Sequence, residues 1–495
     1  MFGRGVGTKP SWTVLDPLIV GVLAAAMSLG GAGRPSFWYD EAATISASYS
    51  RSLPQLWQML SNVDAVNGSY YLLMHGWFEI FPPTEFWSRA PSGVAVGGAA
   101  AGLVVLGKQL SSRAVAVSAG LVCAILPRAT WAGIEARPYA LSMLAAVWLT
   151  VLLIFAARRN NSWIWLCYGI VLATSVVLDV YLALLPLAHF AFLCLCRQAP
   201  TVLVRFTVTS VLTALAVTPL AMAAMAQAHQ IEWIAPVGRR TIEDLVVQQY
   251  FDRSPLFAIA SALIVATAIA SWLRPSARLG DRQLLILATA WMVLPTAVIL
   301  VWSAFIQPIY HPRYLSFTAP AVALILGACI GALAAVKPWI AAAVVTILAV
   351  VAAPNYLLVQ RSPYAKYGMD YSQVADLITA QASAGDCLLV NDTVTFMPAP
   401  MRPLLAARPD AYRSLIDLSL WQRATDRNDV FDTNLIPEAS AGPLSGCRVV
   451  WIITQADTPA GRFEDTPTFA VIDNLGFMPL ERWQFNLVQV IKETR

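Results

Sequence analysis

Charged side chains are scarce along this chain of 495 residues. Asp, Glu, Lys and Arg make up 13% of it, against roughly 25% in typical soluble domains, whereas apolar residues make up 58%. Polar groups are too few to cover a globular surface, which excludes the several soluble domains that the length alone would suggest. The composition therefore predicts a polytopic α-helical membrane protein.

Other absences exclude further classes of protein. The net charge is only +4 and no run of Lys or Arg occurs, so nucleic-acid binding is not expected. The seven cysteines form no Cys-x-x-Cys motif and only four His are present, which excludes the usual zinc and thiol redox motifs. The sequence contains no phosphate-binding loop or nucleotide-sugar signature, and no internal repeat of the kind found in many transporters.

Long apolar runs predict eleven membrane-spanning helices, since about 20 apolar residues cross a bilayer. The first run lacks a clear small-residue cleavage site, so we expect a retained span and not a signal peptide. The predicted spans are 15–33, 91–107, 114–132, 138–157, 163–178, 181–196, 203–226, 255–273, 283–304, 316–335 and 338–358.

Every second loop between these spans is short and basic. Arg4 and Lys9 also precede the first span, so the positive-inside rule places the N-terminus in the cytoplasm of a plasma-membrane protein. An odd number of spans then places the C-terminal segment outside. The basic residues of the predicted inner loops are Lys108, Arg113, Arg158, Arg159, Arg197, Arg205, Arg274, Arg278, Arg282 and Lys337.

The predicted outer side carries long acidic and aromatic loops and the tail. In loop 34–90, the segments 41–47 and 70–81 are predicted to be amphipathic helices that lie along the membrane surface. The tail pattern predicts a small α/β domain. We therefore divide the chain into a transmembrane module, 1–359, and a soluble extracytoplasmic domain, 360–495. The elements expected in that domain are a helix at 371–384 and strands at 387–390, 449–453 and 480–492.

Cys387 and Cys447 stand at the starts of two predicted strands. If those strands are parallel neighbours, about 4.8 Å apart, the two cysteines lie within disulfide range. A bridge would persist on the oxidising outer side of a membrane. If the strands are not adjacent, the cysteines are two independent buried thiols, and the sequence leaves both alternatives open.

The carboxylate pair Asp40-Glu41 directly follows the first predicted span on the outer side. Carboxylates flanked by aromatic residues at a membrane surface are suited to act as a general base on a hydroxyl. The alternative is a pair of acids at a helix N-terminus, favoured there by the helix macrodipole.

The remaining candidates for substrate binding lie in other outer segments. Arginine binds phosphate through its planar fork, and acids beside it can orient the arginine or an acceptor. The alternatives are local ion pairs, helix caps and interfacial anchoring of basic and aromatic side chains. These candidates are Arg89, Glu135, Arg137, Tyr139, Asp179, His311, Arg313 and Tyr314.

Four motifs together resemble the GT-C glycosyltransferase superfamily, in particular its polyprenyl- or dolichyl-phosphate-mannose-dependent protein mannosyltransferases. The first is Asp40-Glu41 after span one, and the second is Asn67-Gly-Ser-Tyr-Tyr-Leu-Leu-Met-His, which is similar to the family's surface helix without its prolines. Arg89-Ala-Pro-Ser resembles the start of the family's second span, and Pro312-Arg-Tyr-Leu resembles its late Arg-Tyr motif. The resemblance covers roughly residues 15–355.

The resemblance implies a membrane glycosyltransferase with a polyprenyl-phosphate sugar, mannose above all, as donor. Asp40 would deprotonate the acceptor hydroxyl, which belongs to a glycan, lipoglycan or protein, and Glu41 would support it. Arg137 and Arg313, with Arg89 behind them, would stabilise the phosphate that leaves as the anomeric centre inverts. Some relatives need a divalent cation, for which Asp40, Glu41 and Glu135 would supply oxygens, but we predict no metal site and no cofactor.

Three rival functions remain open from the sequence. An arabinosyltransferase of the same fold would use the same residues. A flippase or transporter of a lipid-linked sugar would place ionisable residues near the middle of the membrane, whereas here they cluster in outer loops. A degenerate partner that has lost catalysis would share the fold alone.

Overall fold

The structure is a computed structural model that describes residues 12–272, 281–335, 337–391, 394–395, 401–459 and 461–495. Arg4, Lys9, Arg274 and Arg278 lie outside the described residues, so the structure does not bear on their part in the orientation prediction.

Helices dominate the first 360 residues. They are α1 (Trp12–Leu29), α2 (Tyr39–Ser48), α3 (Leu53–Asn62), α4 (Gly68–Phe78), α5 (Glu85–Leu110), α6 (Arg113–Ile125), α7 (Pro127–Ala132), α8 (Tyr139–Arg159), α9 (Ser162–Leu178), α10 (Leu185–Leu195), α11 (Pro200–Ala226), α12 (Arg239–Glu243), α13 (Gln249–Phe251), α14 (Pro255–Trp272), α15 (Arg282–Phe305), α16 (Ala319–Ala334) and α17 (Trp339–Pro354). Short 3-10 helices occupy Ala65–Asn67, Val180–Leu184, Ala228–Ile231 and Pro312–Thr318, and π-helical segments occupy Asp244–Gln248 and Asn355–Gln360.

Each of the predicted spans overlaps an apolar helix, and the coarse prediction of a helical membrane protein is confirmed. Among the described residues, six helices are long and apolar enough to cross a membrane, or seven if one pair bent by 85° is a single span. The eleven crossings stay a prediction. The six are Glu85–Leu110, Tyr139–Arg159, Pro200–Ala226, Arg282–Phe305, Pro312–Ala334 and Trp339–Gln360, the bent pair is Arg239–Phe251 with Pro255–Ala270, and the shorter apolar helices are Leu15–Leu29, Arg113–Ile125, Ser162–Leu178 and Val180–Leu195.

The predicted span 114–132 is wrong as a continuous helix. It breaks at Leu126, whose backbone is extended, and α7 restarts at Pro127. Proline has no N–H to donate and disfavours a helical residue before it, so α6 ends at Ile125.

Contacts divide the chain into two compact units. Unit 1 comprises residues 1–32 and 89–359, and unit 2 comprises residues 33–88 and 360–495. The sequence-based division placed the first loop with the spans, whereas this division groups it with the tail.

Unit 1 packs its helices closely through small residues. A Cβ added to Gly97 in α5 would lie only 2.6 Å from the carbonyl oxygen of Gly21 in α1. A Cβ added to Gly327 in α16 would lie 2.8 Å from the backbone nitrogen of Ala119 in α6. Small residues of this kind let membrane helices approach backbone to backbone.

Polar contacts join the start of α1 and two of the predicted inner loops at one end of unit 1. Asp16 at the start of α1 pairs with Lys108 at 2.6 Å and with Arg113 at 2.7 Å. Arg158 at the end of α8 donates to the carbonyl of Gln109. The predicted cytoplasmic location of these segments stays a prediction.

The tail in unit 2 is an α/β domain, as expected. Its main sheet has the strand order β2-β1-β5-β7-β6, in which β1 runs parallel to β2 and β5 while β7 is antiparallel to β5 and β6. Its elements are α18 (Tyr371–Gln381), β1 (Cys387–Val390), α19 (Arg402–Ala407), β2 (Ile416–Asp417), β3 (Leu420–Gln422), α20 (Ala424–Arg427), β4 (Thr433–Asn434), α21 (Ala441–Leu444), β5 (Val449–Gln455), α22 (Pro467–Asn474), β6 (Met478–Gln484) and β7 (Val488–Thr494).

Two predictions for unit 2 need correction. The single strand expected at 480–492 is a hairpin of β6 and β7, whose turn is held by the Asp370 carboxylate accepting from the N–H groups of Leu487 and Val488. The segment 41–47 is helical, but it is not an amphipathic surface helix, because α2 is buried from Glu41 to Ser48.

Cys387 and Cys447 form a disulfide, and β1 and β5 are the parallel neighbours that one of the two alternatives required. The two Cα atoms lie 6.1 Å apart, and the bridge closes a separation of 60 residues. Both cysteines belong to the apolar core beside the sheet.

We expect the double variant Cys387→Ala with Cys447→Ala to lower the stability of unit 2, because an uncrosslinked unfolded chain gains loop entropy worth about 4 kcal/mol for ~60 residues. Thermal unfolding of the full chain, followed by tryptophan fluorescence, measures the change. Mass spectrometry of unreduced protein checks the bridge itself, and recovery of both cysteine peptides separately would contradict it. Cys329→Ala, which removes a free buried thiol, is the control.

Candidate active site

Asp40 and Glu41 occupy the first turn of α2 in unit 2. Trp38 precedes the helix in an extended conformation, and acids in a first turn are favoured by the helix dipole. The two side chains differ in environment, because Asp40 is half-buried while Glu41 is fully buried. Asp40 therefore has the access that a group reacting with a substrate needs.

Three carboxylates of unit 2 act on Tyr39 at the start of α2. Burial and the charges of Asp40, Asp64 and Asp429 raise the pKa of Tyr39 to about 12. The ring of Tyr39 packs edge-on against Phe431, with centroids 5.1 Å apart. The tyrosine hydroxyl thus stays protonated beside Asp40 at neutral pH.

The segment 67–75 anchors one of these carboxylates. Asp64 has a left-handed backbone, with φ at 61°, and its two carboxylate oxygens accept from Asn67 Nδ2 at 2.9 Å and from the Tyr71 hydroxyl at 2.5 Å. His75 makes a hydrogen bond through Nδ1 with the carbonyl of Ser48, at 2.8 Å.

In unit 1, four of the predicted residues come together in an aromatic cluster. His311, Arg313 and Tyr314 lie at the start of the 3-10 helix that precedes α16, and Tyr139 begins α8. The ring of Tyr314 lies 5.5 Å from His311 and 6.5 Å from Tyr139, and it stacks on Tyr181 at 5.3 Å. Three segments that are distant in sequence thus meet at one place.

Arg313 is buried among the rings of this cluster. Its guanidinium lies 5.3 Å from the ring centre of Trp233 and 5.6 Å from that of Tyr314. The N–H donors of a guanidinium lie in its plane, so contact with neighbouring rings does not exclude phosphate binding.

His311 carries no positive charge at neutral pH. Burial, together with the charges of Arg313 and Arg128, lowers the pKa of His311 well below its usual value. Its Nδ1 accepts from the Arg313 backbone N–H at 3.4 Å. The positive charge of this region therefore comes from the arginines.

Asp179 acts inside the fold, as a cap for the turn between α9 and α10. It accepts from the Ser142 hydroxyl at 2.6 Å and from the Tyr181 N–H at 3.0 Å, while burial raises the pKa of Asp179 to about 6. Tyr181 in turn donates to the Ile309 carbonyl at 3.1 Å. Asp179 thus positions the tyrosine that stacks on Tyr314.

Arg89, Glu135 and Arg137 are buried in unit 1. Arg89 is fully enclosed and donates to the Ala32 carbonyl at 2.7 Å, which does not fit an interfacial anchor. Glu135 is fully buried, and its backbone carbonyl accepts from the Ser92 hydroxyl at 2.6 Å.

Solved structures resemble nearly the whole chain. ArnT from Cupriavidus metallidurans in the apo state matches it with a TM-score of 0.59 at 13% identity, covering 97% of each chain. ArnT bound to undecaprenyl phosphate matches with a TM-score of 0.58 at 14% identity, covering 97% of this chain and 98% of that one. The protein has the GT-C fold.

A further GT-C likeness is the apo form of an Archaeoglobus fulgidus oligosaccharyltransferase, with a TM-score of 0.50 at 11% identity over 90% of this chain and 70% of that one. No family model matches the sequence, and no curated protein does. The expected GT-C architecture is thus confirmed as a fold, and its likeness to ArnT extends beyond residues 15–355 into the C-terminal domain.

One arginine of this GT-C fold was missed from the sequence. Arg128 on α7 donates to the carbonyls of Gln248 and Gln249, the latter at 3.1 Å, and lies 3.7 Å from Asp252 and 4.6 Å from the ring centre of Trp131. A charge inside a predicted span was the available signal, because such residues are costly and usually functional.

The oxygen ligands that a divalent cation would need were assigned to Asp40, Glu41 and Glu135. Within the described part of the chain, no three His, Cys, Asp or Glu side chains form a group that could hold a metal ion. Glu41 is buried in α2 of unit 2, and Glu135 is buried in unit 1.

Proposed function

We propose that this protein is a glycosyltransferase that moves a sugar from a polyprenyl-phosphate donor to an acceptor hydroxyl on the outer side of the plasma membrane. The observation that carries the proposal is the fold shared with ArnT, one structure of which contains undecaprenyl phosphate. The aromatic cluster around Arg313, in a unit built of apolar helices, supports it.

Unit 1 would bind the donor phosphate. Arg313 offers a planar pair of donors to phosphate oxygens, and the rings of Trp233 and Tyr314 lie next to its guanidinium. As the glycosidic C–O bond breaks, the phosphate gains charge, which the arginine stabilises. Because His311 is neutral, the arginines supply the positive charge that stabilises the phosphate.

Asp40 would be the general base. It takes the proton of the acceptor hydroxyl while the acceptor oxygen attacks the anomeric carbon and the polyprenyl phosphate leaves with the bonding electrons. One displacement inverts the anomeric centre. Mannose is the sugar we favour, because the sequence motifs resemble the mannosyltransferase branch of the superfamily.

The test is transfer by the purified protein in detergent. Radiolabelled polyprenyl-phosphate mannose and, in parallel, polyprenyl-phosphate arabinofuranose are offered with a membrane glycan extract as acceptor. We expect labelled product and free polyprenyl phosphate in equal amounts from the mannose donor. Movement of intact donor across vesicle membranes without chemical change would favour a flippase, and transfer from the arabinose donor alone would overturn the choice of sugar.

The predicted orientation can be tested with single cysteines. Ser112→Cys lies in a predicted inner loop and Ser445→Cys in the tail, and both positions are exposed. We expect a membrane-impermeant maleimide to label only Ser445→Cys on intact cells and both after lysis. The parent protein measures labelling of the native thiols, and labelling of Ser112→Cys on intact cells would reverse the topology.

A further inference from the structure

Two hydrogen bonds join the backbone just before α2 to Ser372, a serine in the tail segment of unit 2. The Ser372 N–H donates to Ser36 Oγ at 3.0 Å, and the Phe37 N–H donates to Ser372 Oγ at 3.0 Å. All three residues are buried. Two bonds running in opposite directions fix the chain three residues before Asp40.

The Ser372 hydroxyl also bonds to an ion pair between Glu85 and Arg408. It donates to Glu85 Oε1 at 2.5 Å, and Arg408 donates to the same oxygen at 2.6 Å. A hydroxyl has one hydrogen, so the oxygen that accepts from Phe37 must direct its hydrogen at Glu85. Hydrogen bonds to a charged carboxylate are the stronger kind, which holds the serine in one rotamer.

We propose that Ser372 is a positioning residue that sets the place of Asp40 for the transfer reaction, an inference that rests on the proposed function. Trp38, the N-cap residue just before α2, has no side-chain oxygen with which to cap the helix. The position of the first turn therefore depends on bonds just upstream of it, and Ser372 supplies one of them. A base must lie within hydrogen-bond reach of the proton it removes, so a shift of this turn affects the chemical step.

The rest of α2 is held independently of Ser372. The Ser46 hydroxyl donates to the Val430 carbonyl at 2.6 Å, and Arg51 donates to the Ser46 carbonyl at 2.8 Å and to the Asp429 carbonyl. The helix also packs against α19. Removing the serine hydroxyl should thus loosen the start of α2 without unfolding unit 2.

Steady-state kinetics of three variants of the full-length protein test the proposal. We expect Ser372→Ala to lower kcat by between about 10- and 100-fold, since a misplacement of about 1 Å can cost on the order of 10²-fold. The KM for the donor should change little, because donor binding is assigned to unit 1. Ser372→Thr keeps the hydroxyl and should recover most of kcat. Thr379→Ala, which removes a hydroxyl bonded within α18, is the matched control.

Hydrogen–deuterium exchange gives a readout that does not depend on activity. Ser372→Ala should speed exchange in peptides covering residues 36–48, whereas Thr379→Ala should not. Unchanged exchange in residues 36–48 of Ser372→Ala would show that Ser372 does not hold the start of α2. Faster exchange with normal kcat would show that its role is structural and not one of positioning Asp40. If the parent protein transfers no sugar, the proposed function fails and the positioning role with it, while the exchange data still decide whether Ser372 holds the start of α2.

Discussion

Asp40→Asn is expected to reduce sugar transfer by about 10²- to 10⁴-fold, the usual cost of losing a general base. The amide has nearly the same shape as the carboxylate but cannot take the acceptor proton at neutral pH. Asp40 is half-buried at the start of α2, so the substitution should leave expression and thermal stability nearly unchanged.

The competing explanation for Asp40 is a helix N-terminal acid with no part in chemistry. In that case Asp40→Asn would cost only about 0.3–1 kcal/mol of stability and no activity. Asp426→Asn is the matched control, because Asp426 is an exposed acid in the first turn of α20. More than about a tenth of the activity remaining in Asp40→Asn would pass the role to Glu41 or Glu135. Glu41→Gln tests the first of these.

The membrane architecture was predictable because it depends on composition and periodicity. Apolar runs of about 20 residues place helices with little dependence on distant contacts. The breaks were less predictable, since Pro127 starts a new helix at one place while Pro91 lies inside the continuous α5. A proline can be helix-initiating or tolerated within a membrane helix, and packing decides which.

The candidate site was only partly predictable, because a sequence does not say which loops meet. The motif 310–314 was recognisable as basic and aromatic, but its stacking on Tyr181 depends on the turn that Asp179 caps. The hydrogen bonds of Asp179 to Ser142 and Tyr181 were not readable from the sequence, and its role in substrate binding stays a prediction. No sequence pattern marked Ser372, because its role depends on hydrogen bonds with Phe37 and Glu85, which are distant in the sequence.

The tail shows the same limit. Short apolar runs predict β1 and β5, whereas the alternating pattern at 480–492 predicts one strand where the structure has a hairpin. Alternation continues through its turn, and the turn is fixed by Asp370, more than a hundred residues earlier in the chain. Asn486 is the one turn-forming residue type between the two strands, and a single Asn is a weak signal beside the contribution of a distant carboxylate.

Arg313→Ala is expected to lose nearly all transfer, on the order of 10²- to 10³-fold, as when an enzyme loses a donor that stabilises developing charge. The side chain is buried between the rings of Trp233 and Tyr314, in the region where burial and arginine charge keep His311 neutral. Arg313→Lys should be clearly impaired as well. Lysine keeps the charge but loses the planar fork that grips two phosphate oxygens.

Arg313→Ala should weaken the interaction with the polyprenyl phosphate and leave the binding of the acceptor unchanged. Free polyprenyl phosphate, the product, should inhibit the parent enzyme but inhibit Arg313→Lys more weakly, while the KM for the acceptor stays the same. Arg159→Ala is the matched control, because Arg159 also lies over an aromatic ring, 5.7 Å from the centre of Phe155, but at the opposite end of α8 from Tyr139. Equal product inhibition and rate in Arg313→Ala and the parent would make Arg313 an interfacial anchor, and the phosphate site would then have to be sought at Arg137 or Arg89.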